Sequence, residues 1–154
     1  MRFFLKTLLK HLALVAAGVS SGNGSAVAAG LQDIPERSIE SAVEEGEELD
    51  GMRLFDEAEA ILGGLVVDES SEVRRVAMMD LKAFLCELSP LRRTDLVCRW
   101  ATDDDARKRL AVASALAWPL EVNGARTALD HLARDPSPDV RAAAEHARVA
   151  RRAG

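Results

Sequence analysis

The segment Asp135–Arg148, DPSPDVRAAAEHAR, decides how the rest of the chain is read. Two prolines and a serine stand directly before an arginine and a run of alanines. Ser137 can cap a helix by accepting a backbone N–H. Pro138 suits the first helical position, where no donor is needed. Asp139 falls in the first turn, where the helix dipole favours an acid. The same arrangement occurs earlier, in DESSEVRRVAMMDL from Asp68. Both segments fit Asp-x-Ser-x-x-Val-Arg-x-x-Ala, with Ser70 and Glu72 in the capping and first-turn roles.

A third copy is looser. DDDARKRLAVASAL, from Asp103, has Arg109 six residues on but Lys108 where valine stands in the others. The arginines then fall at 74, 109 and 141. A second register through Arg107 gives more even spacing and loses the aspartate, and the sequence leaves both open. Val73 and Val140 are expected in the core. Ala77 and Ala144, three residues after the arginine, allow helices to approach closely. Arg74 and Arg141 can reach an aspartate of a neighbouring repeat. A period of about 30 to 40 residues built from two helices predicts a solenoid, and three units are near the minimum for one.

The pattern resembles the HEAT repeat, particularly the short bacterial HEAT-like form found in phycobilisome lyase subunits. Asp68, Val73, Arg74, Ala77, Asp103, Arg109, Asp135, Val140, Arg141 and Ala144 carry the resemblance, over residues 52–154. It implies an all-α fold, a short α-solenoid of antiparallel helix pairs, with an arginine–aspartate ladder that is structural. About function it implies little, because such a scaffold serves many partners.

Working outward, apolar residues at helical spacing predict further helices. Met52, Leu54, Phe55, Ala58, Ile61, Leu62 and Leu65 form one, expected to stop near Gly63-Gly64. Val73 to Leu85 forms the next. Leu91, Leu96, Val97, Trp100 and Ala101 mark a shorter one, and Leu110 to Trp118 a longer one ended by Pro119. Asn123-Gly124 is read as a turn, before a helix on Ala125, Ala128, Leu129 and Leu132. The last runs from about Pro138 to Arg151. Cys86, Cys98, Trp100 and Trp118 sit in apolar helical patterns and are expected in the core.

Residues 1–30 form a separate part, a basic amphipathic stretch with Arg2, Lys6 and Lys10 on one stripe, ended by SSGNGS. Three readings compete: a secretory signal cleaved near Ala28, a helix that lies on a membrane surface through residues 2–19, or a helix that caps the domain. The apolar run is too short to cross a bilayer. The capping reading favours the cytoplasm, and the others imply export or membrane attachment. Residues 31–51 read as an acidic helix or linker, and eleven acids against two arginines fall between 33 and 60.

The composition bounds the function. The chain has 154 residues, is 48% apolar and 4% aromatic, and carries a net charge of −5. That acidity argues against nucleic acid as a partner. Two cysteines and three scattered histidines show no metal-ligand spacing, and Asp103-Asp104-Asp105 is explained by helix capping. No nucleophile motif, GxGxxG or phosphate loop is present, so neither catalysis nor a cofactor is expected. The reading is a non-catalytic scaffold or adaptor for a protein partner. The basic clusters Arg92-Arg93, Arg107-Lys108 and Arg148, Arg151, Arg152 are candidates for the partner surface. The alternative is an accessory subunit of a lyase, chaperone or other enzyme complex, or an exported or membrane-surface adaptor.

Overall fold

The computed structural model describes residues 48–153, which contain six α-helices and no strand. The basic N-terminal segment and the acidic stretch to position 47 lie outside the described residues. The helices are α1 (Glu48–Val66), α2 (Ser71–Glu87), α3 (Pro90–Ala101), α4 (Ala106–Ala115), α5 (Ala125–Leu132) and α6 (Pro138–Ala153). The described residues fall into two compact units, the first ending at Ala77 and the second beginning at Met78.

In the first unit, α1 buries Ala58, Leu62, Leu65 and Val66, and the start of α2 buries Val73 and Ala77. These positions repeat every three or four residues, as an amphipathic helix requires. The helix does not stop at Gly63-Gly64, as the sequence suggests, but runs three residues past Gly63 to Val66. Each glycine costs a helix about 1 kcal/mol. Full burial of Leu62 and Leu65 contributes about 2 kcal/mol apiece, so packing wins.

In the second unit, α3 packs against α4 and α5, and α6 packs against α4 and α5. The helix α4 lies among the others. It buries Ala111, Val112 and Ala113 in succession, then Ala115, which only a helix covered on several sides can do. Its small side chains let its neighbours approach. The core is completed by Leu81, Phe84 and Leu85 of α2, by Leu96, Val97 and Trp100 of α3, and by Leu129, Leu132, Val140 and Ala144 of α5 and α6.

The ends of α4 follow from local chemistry. Asp105 starts it by accepting the Arg107 N–H at 2.7 Å. At the other end the chain tightens, with N–H groups of Ala117 and Trp118 donating to the carbonyls of Ser114 and Ala115. Pro119 has no N–H to continue the ladder, and it disfavours helical backbone at Trp118. The helix is therefore shorter than Leu110–Trp118 at its end and begins earlier. Gly124 turns the chain into α5 with φ +76°, a left-handed conformation that glycine adopts without strain. The turn is tied down where the Asn123 N–H donates to Thr94 Oγ1 at 3.2 Å.

Several side chains expected in the core are outside it. Cys86 and Cys98 are both exposed. Trp100 is buried, but Trp118 is 54% exposed and Leu91 79%. Leu91 sits one residue after Pro90, in the first turn of α3. Trp118 lies beyond the end of α4, and Lys82 Nζ sits 5.0 Å from its ring centroid. Both residues fit an apolar spacing, but each lies at an element's end, where the periodicity of a helix no longer says which way a side chain faces.

Candidate functional site

One small structure is built three times. The carboxylate of Asp68, Asp103 or Asp135 accepts the backbone N–H two residues on, at 2.7, 2.9 and 2.8 Å. This bends the chain into the following helix. Six residues after each aspartate, an arginine folds back. Nη1 of Arg74 donates to the carbonyls of Asp68 and Glu69 at 2.6 and 2.7 Å. Nη1 of Arg109 does the same to Asp103 and Asp104, and Nη1 of Arg141 to Asp135 and Pro136. In the middle copy the arginine that folds back onto these carbonyls is Arg109. Val73, Ala77, Val140 and Ala144 are all buried beneath these turns.

The second and third copies are joined. Nε and Nη2 of Arg109 donate to Oδ2 and Oδ1 of Asp135, at 2.7 and 3.1 Å. The side chains are 12% and 3% exposed. This is the two-pronged guanidinium–carboxylate geometry that gives the strongest such bonds. The Arg109 guanidinium holds the Asp135 carboxyl below the usual carboxylate range, and Asp135 in turn raises Arg109. Lys108, the residue that departs from the motif, bonds Asp103 at 2.9 Å and holds that carboxyl low as well. The carboxylates of Asp103 and Asp105 are thus engaged in a turn and a cap, and among the described residues no group of three metal-type ligands gathers.

Two arginines of the basic clusters are engaged with backbone carbonyls of other elements. Arg93 donates to the carbonyls of Leu85, Cys86 and Leu88 at the end of α2, and to Glu121. Arg151 donates to the carbonyls of Leu116, Trp118 and Leu120, beyond the end of α4. The last carbonyls of a helix have no partner within it; Arg93 supplies one at the end of α2, and Arg151 ties down the loop that follows α4. These two guanidiniums hold the fold together. Lys108 is engaged with Asp103, and its Nζ lies 6.0 Å from the Trp100 ring centroid. Arg107 is exposed and Arg92 half-buried on their own helices.

The arginines of α6 do meet another that the sequence reading passed over. Arg126, in the first turn of α5, joins Arg148, Arg151 and Arg152 around an open groove of about 410 Å³ between α5 and α6. Val122, Ala125 and Leu129 give it an apolar wall. Asp130 is the one carboxylate lining it, and it pairs with Arg148 at 3.4 Å. Arg148 also bonds Glu145 at 2.8 Å. Arg126 was missed because it stands alone in sequence, more than twenty positions before Arg148; only the fold-back of α6 onto α5 brings them together. His131 and His146 are both exposed. No family model matches the chain, and neither a curated protein nor a solved structure matches it.

Proposed function

We propose that the chain is a non-catalytic scaffold, a short HEAT-like solenoid that binds a protein partner on its helical surface. The observation that carries this reading is the threefold recurrence of the aspartate turn and arginine clamp, with Arg109 linking one copy to the next through Asp135. A structural device repeated at near-constant spacing is how solenoids stack their units, and stacked units give extended surfaces suited to macromolecules. The recurring side chains of the repeat are occupied with backbone carbonyls and turns, which supports a scaffold over a reaction centre.

The test is hydrogen–deuterium exchange on the full-length protein, alone and with the partner that co-purifies from its native host. Protection of amides across residues 52–154 is expected. Protection confined to residues 1–30, with the repeat amides unchanged, overturns the reading.

A further inference from the structure

The groove between α5 and α6 concentrates positive charge in an acidic protein. Four guanidiniums face one carboxylate there, while the chain as a whole carries −5. Two of the four are fixed. Arg151 is held by three backbone carbonyls and Arg148 by Asp130 and Glu145. The other two, Arg126 and Arg152, are exposed and pair with no carboxylate among the described residues. The first turn of α5 adds to the field. It begins at Gly124, and no side chain caps it, so the positive end of the helix opens toward the same groove.

Size narrows the ligand. A single water or ion fills a few tens of cubic ångströms, about 30 Å³ for water, and the groove is more than ten times larger. Guanidinium forks spread along two helices match several carboxylates in a row better than one compact anion. The apolar wall of Val122, Ala125 and Leu129 can cover the stems of glutamate side chains. We infer that this groove seats an extended acidic segment of the protein partner, with Arg126 and Arg152 making the new ion pairs. The inference rests on the scaffold reading, since it names the chemistry of the partner that reading calls for.

A fluorescently labelled hexaglutamate peptide, titrated with the full-length protein and followed by anisotropy, tests it. Saturable binding is expected, weakening steadily as salt is raised. The double variant Arg126→Gln/Arg152→Gln should bind about tenfold more weakly, the loss of two partly exposed pairs. Arg99→Gln, which removes a charge outside the groove, should bind as the parent does. Amide shifts of Gly124 and Ala125 on peptide addition give a second readout that does not depend on a variant folding. Equal weakening by Arg99→Gln overturns the inference, as does unchanged binding by the double variant. Displacement of the peptide by inorganic phosphate at lower concentration than by unlabelled hexaglutamate also overturns it, in favour of a small-anion site. No peptide binding, with exchange protection still spread over residues 52–154, removes the acidic segment and leaves the scaffold standing.

Discussion

Three hydrogen bonds converge on the carboxylate of Asp135. It accepts the Ser137 N–H with one oxygen and both prongs of Arg109 with the pair, in a nearly dry setting. Removing one partner of such a pair leaves a charge without its counterpart, at a cost of about 3 kcal/mol. Asp135→Ala should therefore lower the melting temperature by about 10 °C in a chain of this size. The double variant Arg109→Met/Asp135→Leu should recover most of that loss, because a buried ion pair and an apolar pair of similar bulk are often equal in stability. A double variant that melts lower than Asp135→Ala would mean that the clamp on Asp103 and Asp104 outweighs the bridge. Much of this residue-scale chemistry was readable from the string Asp-x-Ser-x-x-Val-Arg, since each position has a local job. The bridge from Arg109 to Asp135 was readable only as a kind of contact, because the middle copy lacks the valine that fixes its register.

At the scale of the element, helix ends were harder to read than helix faces. The buried faces of α2 and α6 follow their apolar spacing, from Val73 through Leu85 and from Val140 through Ala147. Gly63-Gly64 has the local signature of a helix end, and tertiary burial carries α1 through it. Cys86, Leu91 and Trp118 obey a helical period yet face solvent, because each lies at or beyond an end, where neighbouring helices no longer cover the full stripe. The arginines behind those ends carried no local signal at all. Arg93 reaches back across the α2–α3 turn and also to Glu121, 28 positions on, and Arg151 bonds carbonyls up to 35 positions away. A hydrogen bond that involves a charged group contributes about 1.5 to 3 kcal/mol. Arg151→Met should lower stability by about 2 kcal/mol in chemical denaturation. Arg152→Met, its neighbour with no such bonds, should change it by less than about 0.5 kcal/mol. Equal effects of the two would show that Arg151 acts as a general charge and not through those carbonyls.

At the scale of the whole molecule, acid should loosen the protein through the turns of its repeats. Hydrogen bonds from Arg109 and Lys108 hold the carboxyls of Asp135 and Asp103 below their usual range. Unfolded, each would take up a proton near pH 4; folded, each resists until the pH is lower. The unfolded chain then binds more protons across that window, so the stability these groups supply is complete above about pH 5 and drains away as the pH falls through their folded values. The melting temperature should be level with respect to these groups above pH 5 and decline below it. Asp135→Asn should flatten part of that decline, and an unaltered slope would place the acid sensitivity elsewhere.

The reach of the Arg109–Asp135 bridge has a further consequence, one of timing. It closes a loop of only 26 positions, and the longest of the bonds between helices described above closes 35. Loops this short cost little entropy to close, and chains dominated by such near-neighbour contacts fold fast. As the polypeptide leaves the ribosome, the turn at Asp135 can meet Arg109 as soon as the 26 positions between them are made, so this part of the molecule can assemble without waiting for the chain to be finished.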